Sequence, residues 1–113
     1  MSKINTLTNA PPYPVEQAIK RLGQNLRTAR LRRNLTIQDV AEKIGTGQRA
    51  VMDAEKGKIT TAVAVYVGLL WAYDLIEPMD RLAESALDEE GLALSNTRER
   101  ARQKEDRGLD NEF

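Results

Sequence analysis

Apolar residues recur at intervals of three and four along most of this chain, the period of helices with one face turned inward. Val15, Ala18, Ile19, Leu22, Leu26 and Ala29 form the first such stripe, and Pro14 fits its first turn, where a missing N–H and a fixed φ do no harm. Gly23 interrupts the stripe at a cost of about 1 kcal/mol relative to alanine, so a close helix contact is expected there. The next helix starts after Thr36, a residue that caps, with Asp39 three positions on to complete a capping box, and it places Val40, Ala41 and Ile44 on one side. Gly45 stops it, because the residue past a helix end often sits at positive φ, where a Cβ clashes. A third helix must then begin within two residues. Gly47 serves as its N-cap and Gln48 as its first residue, which turns Val51 and Ala54 inward and leaves Gln48, Arg49, Met52 and Asp53 outside. Ala41, being small, lets the second and third helices cross closely.

After Gly57 the pattern changes. Thr60 or Thr61 is expected to cap a helix through Ala62, Val63, Val65, Tyr66, Val67, Leu69, Leu70, Trp71 and Ala72. This stretch is apolar nearly all round and well short of the ~18 residues of a membrane span, so it reads as the central core helix. Glu77 and Pro78 open a fifth helix with Met79, Leu82, Ala83, Ala86 and Leu87 on its apolar side.

The two ends show no such order. Residues 1–13 are polar, contain Pro11 and Pro12, and have Lys3 as their one cation, which reads as a flexible arm. Asp88, Glu89 and Glu90 begin a tail in which residues 97–107 alternate charge around Ala101, a composition for a disordered segment or a solvated helix. The ending Leu109, Asp110, Asn111, Glu112, Phe113 returns two apolar side chains among acids, a pattern that fits an inert end or a docking segment for a protein partner, the inert end being the commoner case. The expected division is therefore an arm over 1–13, a helical domain over 14–87 and a charged tail over 88–113.

Composition narrows the chemistry. The 113 residues are 41% hydrophobic, enough for one small core. With neither cysteine nor histidine, disulfides, thiolate chemistry, the usual neutral-pH general base and the commonest metal ligand are all removed. No nucleophile–base pair, phosphate-cradling loop or metal cluster is visible, so neither an enzyme nor a metal or other cofactor is expected. The absence of a leader or long apolar span points to the cytoplasm, with no membrane partner.

The formal charge is zero, but it divides unevenly. Residues 1–60 hold eleven Lys and Arg against five Asp and Glu, +6, and residues 61–113 hold six against twelve, −6. The basic half contains the two short helices, as a protein that displaces cations from phosphates requires. A helix face that starts with Gln48 and Arg49 suits a major groove. Gln pairs with adenine N6 and N7, and Arg pairs with guanine or holds a phosphate. Lys56 and Lys58, just after that helix, are candidate phosphate ligands, whereas Lys20, Arg21, Arg27, Arg32 and Arg33 on the first helix fit a solvated face at least as well.

Leu35, Thr36, Val40, Ala41, Ile44, Gly45, Gln48, Val51, Glu55 and Gly57 together resemble the signature of the Xre and lambda-repressor-like superfamily, over roughly residues 15–87. The resemblance implies an all-α, compact five-helix domain with a helix-turn-helix, and DNA contacts from Gln38, Thr46, Gly47, Gln48, Arg49, Met52, Asp53, Lys56 and Lys58. It also implies a buried ion pair between Arg30 and Glu55. Two positions depart from the family. Ile37 stands where a phosphate-gripping Gln is usual, so that contact is either lost or made by Gln38, and Asp53 carries a charge that phosphates repel unless it accepts from a cytosine N4 amine.

So much Val, Leu and Trp in a small domain predicts a symmetric dimer through Trp71, Tyr73, Leu75, Ile76, Met79 and Leu82. Such a dimer would set its recognition helices on half-sites about 34 Å apart in an inverted repeat of double-stranded operator DNA. Within the superfamily the layout is most similar to HipB-type antitoxins. That branch implies an autoregulating repressor of a type II toxin-antitoxin operon, partnered by a HipA-like kinase toxin. A phage-type or general Xre regulator without a toxin, and a protein-interaction module on a helix-turn-helix scaffold, are the alternatives.

Overall fold

The structure, a computed structural model, describes residues 5–111, the side chains of 107–111 apart. The fold is all-α, with no strand among the described residues. The chain divides into two compact units, Met1–Glu77 and Pro78–Phe113, so the boundary falls ahead of the expected one at residue 87.

The first unit opens with a single helical turn, α1 (Thr6–Asn9), capped by the Asn5 side chain, inside the segment expected to be an irregular arm. A local Asx cap suffices for one turn even where no apolar period exists. Residues 1–4, with Lys3, lie outside the described residues. The long helix α2 (Tyr13–Arg32) follows, with Pro14 in its first turn and Arg30 and Arg32 in its last, where cations favour the helix dipole. Leu26, Ala29 and Arg30 are buried, while Val15 and Ala18 at the start of the stripe are exposed.

Helix α3 (Ile37–Ile44) begins in the expected capping box. The Thr36 hydroxyl accepts from the Asp39 amide at 3.0 Å, and the Asp39 carboxylate accepts from the Thr36 amide at 2.9 Å. These bonds hold the Asp39 carboxyl below its ordinary pKa, the one from the Thr36 backbone amide most. Gly45 ends α3 at φ 78°, and α4 (Gln48–Glu55) starts after Gly47. Gly57, at φ 70°, takes the chain out of α4.

Helix α5 (Val63–Ala72) starts later than expected, after Ala62, with Thr60 and Thr61 in the preceding turn and no side-chain cap. It is not buried all round. Tyr66, Leu69 and Ala72 join Leu26, Ala29, Val40, Ala41, Val51 and Ala54 in the core, whereas Val63 and Trp71 are exposed. Helix α4 packs on α2, α3 and α5, so the core lies under the inner faces of the two short helices.

Gly23 marks the tightest junction. A Cβ built there would lie 2.5 Å from the Ala54 carbonyl oxygen and 2.8 Å from both the Glu55 oxygen and the Gly57 nitrogen. One on Gly57 would lie 2.5 Å from Lys20 Cα. Helix α2 therefore meets the end of α4 backbone to backbone.

The expected fifth helix is replaced by two 3₁₀ segments, Glu77–Arg81, which starts on the last residue of the first unit, and Ser85–Leu87 in the second. Ala83 lies between them at φ 58°, a left-handed residue through which no right-handed helix continues. Helix α6 (Glu89–Asn111) then occupies the charged tail. The Asp88 side chain accepts from the Gly91 amide at 3.0 Å, and Glu89 and Glu90 sit in the first turn, where acids complement the dipole. This is the solvated helix of the two states the charge alternation allowed. Its Leu92 and Leu94 are exposed, and the side chains of residues 109–113, where a docking segment or an inert end was expected, lie outside the described residues.

Candidate nucleic-acid interface

Helices α3 and α4 are eight residues each, joined by Gly45, Thr46 and Gly47. Two devices fix α4 against the rest of the first unit. One is the Gly23 junction. The other is a two-point ion pair in which Arg30 Nε donates to Glu55 Oε2 at 2.7 Å and Nη2 to Oε1 at 3.1 Å. The remaining nitrogen, Nη1, donates to the Leu35 carbonyl at 2.9 Å. The Arg30 and Glu55 side chains are only 11% and 7% exposed, and the bond to Glu55 holds the guanidinium in its charged form, raising its pKa further. Both side chains are largely buried, so the pair ties the end of α4 to α2.

Beside it lies Tyr73, which the sequence assigned to a dimer surface. The structure corrects this: Tyr73 is 1% exposed and belongs to the core of the single chain. Periodicity along an apolar helix cannot place the residue that leaves helical geometry, and Tyr73 is the C-cap of α5, at φ −100° and ψ 9°. Arg33 lies 5.5 Å from the ring centroid and donates to the Tyr73 carbonyl at 3.0 Å. Burial, reinforced by the charge of Glu55 and opposed by those of Arg30 and Arg33, pushes the phenol up to about 12. Its hydroxyl has no hydrogen-bond partner among the described residues.

The other residues expected at a dimer surface fall in both units. In the first, Trp71 is 52% exposed, Leu75 is exposed and Ile76 half-buried; in the second, Met79 is half-buried and Leu82 exposed.

The outer face of α4 carries Gln48, Arg49 and Met52, all exposed, with exposed Gly47 and half-buried Thr46 leading in and exposed Lys56 at the C-cap. Arg27, Ile37, Met52, Glu55 and Lys56 line an open cleft of about 240 Å³. Ile37 packs against the core edge as an apolar residue. Gln38 is exposed, and its side-chain amide uses one of its two N–H groups on Glu42, at 3.2 Å one turn along.

Asp53 is the surprise of this face. Its carboxylate is turned to the chain's own cations: Oδ1 stands 3.4 Å from Arg49 Nε and 3.2 Å from Lys58 Nζ, with the side chain 22% exposed. Neither approach is aligned as a hydrogen bond, so the attraction is one of charge. Lys58 is fixed in turn by the Tyr66 hydroxyl, which donates to its carbonyl at 2.7 Å; burial raises the Tyr66 pKa. Sequence reasoning missed this link, because nothing in the spacing ties a core tyrosine on α5 to the loop after α4.

Two more cations of the basic half also serve the fold. Lys43 donates to the Ala72 carbonyl at 3.2 Å and stands 5.7 Å from the Trp71 ring centroid. With Arg33 on Tyr73, it satisfies carbonyls at the end of α5. Lys20 pairs with Glu16 at 3.0 Å.

Comparison with protein-family models, curated proteins and solved structures gave no match. Among the described residues, no helix is long and apolar enough to cross a membrane.

Proposed function

We propose that this chain is a sequence-specific DNA-binding regulator of the lambda-repressor-like helix-turn-helix class, with α4 as its recognition helix. One observation carries the reading: α4 is locked from within by Arg30–Glu55 and the Gly23 junction, while Gln48, Arg49 and Met52 are left exposed on its outer side. A rigid mount with hydrogen-bonding side chains at the start of an exposed helix face is what reading base edges in a major groove demands. Lys56 and the loop cation Lys58 lie at the far end, where phosphates run.

The test is binding to duplexes selected from a randomised pool, measured across a salt series against a scrambled duplex of equal length. Sequence preference with affinity falling steeply in salt, by about 0.9 log units per log unit for each phosphate neutralised, supports the reading. Equal binding to both duplexes at every salt concentration overturns it.

The narrower form of the proposal is a homodimeric repressor on inverted repeats, the antitoxin of a HipA-like kinase toxin. It rests on the sequence resemblance, and exposed Trp71 and Leu75 on the first unit support the dimer. Sedimentation of the free protein and co-purification with a co-expressed kinase of that type test it. A monomer that binds a single half-site removes the dimer, and failure to co-purify removes the toxin partnership.

A further inference from the structure

Arg49 and Asp53 are one turn apart on α4, and the contact between them is made at a particular nitrogen. Asp53 Oδ1 faces Arg49 Nε, at 3.4 Å. A guanidinium is a planar fork with five N–H groups, and a carboxylate at Nε leaves the two terminal nitrogens as the free outer edge. That edge is the one that pairs with guanine O6 and N7. The Arg49 side chain is 76% exposed, so it lies over the surface with little else to hold it. Asp53 is itself anchored at the same oxygen by Lys58, whose carbonyl is held by Tyr66 from the core.

We infer that Asp53 is a positioning residue that presents Arg49 edge-on to a guanine in the major groove, and so sets a guanine preference without touching DNA. This rests on the DNA-binding reading above and names the base it favours. It also accounts for a carboxylate on a DNA-facing helix. The charge that repels phosphates is neutralised by two cations of the same chain, and it fixes the rotamer of one of them.

The consequence is an opposed effect of one substitution. Asp53→Asn removes a negative charge from the face, so binding to an arbitrary duplex should hold or tighten. The same change frees Arg49, so discrimination for guanine at one position of the site should fall about tenfold or more. Lys56→Ala removes an exposed cation at the C-cap of α4 that makes no ion pair with Asp53, so it should weaken binding without changing base preference and serves as the control for discrimination.

The experiment selects sites for the full-length protein from a duplex pool with a randomised core. The enriched site is then bound by wild type, Asp53→Asn, Asp53→Ala, Arg49→Ala and Lys56→Ala, with guanine replaced position by position by 7-deazaguanine or adenine. Thermal melting of each variant confirms that it is folded. The inference expects one guanine whose replacement weakens wild type and Lys56→Ala, but not Arg49→Ala or the two Asp53 variants. A guanine preference that survives in both Asp53 variants, or one that does not depend on Arg49, overturns the inference and leaves the DNA reading standing. A pool from which wild type enriches nothing overturns the DNA reading, and the inference with it.

Discussion

Replacing Glu55 by alanine should be among the most damaging single changes in the first unit. Arg30 makes three hydrogen bonds, two of them to Glu55 and one to the Leu35 carbonyl, and the two side chains are 11% and 7% exposed. Without the carboxylate, a charged guanidinium stays buried with one partner. Breaking a buried pair from one side costs about 3–5 kcal/mol. The surviving bond to Leu35 and the small residual exposure place this case at the lower end, about 3 kcal/mol. For a unit of this size that corresponds to a fall in melting temperature of about 12–24 °C.

Glu55→Gln keeps the shape and one acceptor, so it should lose less. The diagnostic variant is the double change Arg30→Met with Glu55→Leu, which removes both charges and fills the space. It should recover most of the loss, because a buried ion pair contributes little net stability beyond an apolar pair of equal volume. Thermal and urea unfolding of the singles and the double, combined as a mutant cycle, give the coupling directly. A loss below about 1 kcal/mol for Glu55→Ala would show that solvent reaches Arg30 and would refute the argument. So would a double variant as unstable as the sum of its singles.

Gly23→Ala should destabilise by several kcal/mol, although alanine gains about 1 kcal/mol in an open helix, because the new Cβ would meet three backbone atoms of the α4 end within 2.8 Å. Circular dichroism melting checks it, and a more stable variant would mean that α2 and α4 separate freely. Tyr73→Phe should be neutral or slightly stabilising at pH 7, since the buried hydroxyl has no partner among the described residues. The same substitution should change behaviour in alkali. The folded phenol titrates at about 12 and an unfolded tyrosine near 10, so the wild-type contribution is intact below pH 10 and lost as pH rises towards 12. That loss is at most about 3 kcal/mol. Urea unfolding at pH 8 and pH 11 should show wild type losing more than the variant, and equal losses would refute the burial argument. Lys56→Ala, at the exposed C-cap of α4, should weaken binding to all duplexes alike and flatten the salt slope by about 0.9, while a change in base preference would move Lys56 from the phosphates to the bases.

Much of the first unit was legible because its stops are chemical. Thr36 with Asp39, and Gly45 with Gly47, are short-range signals that act within one turn, and the structure forms the capping box and the left-handed glycine where spacing placed them. Gly23 was readable for the same reason, since a glycine that costs helix stability implies a neighbour. Helix α5 was harder. An apolar run offers no period to divide inside from outside, so Trp71 and Tyr73 looked alike, and only the break of helical geometry at the C-cap sends one in and leaves the other out. Ala83 at φ 58° carried no signal at all, because alanine is a good helix former, and the two 3₁₀ segments around it could not be foreseen. At the candidate interface, the types and order of Gln48, Arg49 and Met52 were visible. The partners of Asp53 were not, because an i, i+4 contact and a loop lysine are told apart from solvent exposure only by the fold around them.

The Gly23 junction bears on how such a surface can change over generations. It joins α2 to the end of α4 through backbone atoms, which every amino acid shares. On the proposed DNA-binding reading, mutations at Gln48, Arg49 or Met52 would then alter the address without removing this junction. A descendant of this chain would, on that reading, acquire a new target through two or three surface substitutions, with Gly23 and Gly57 left untouched.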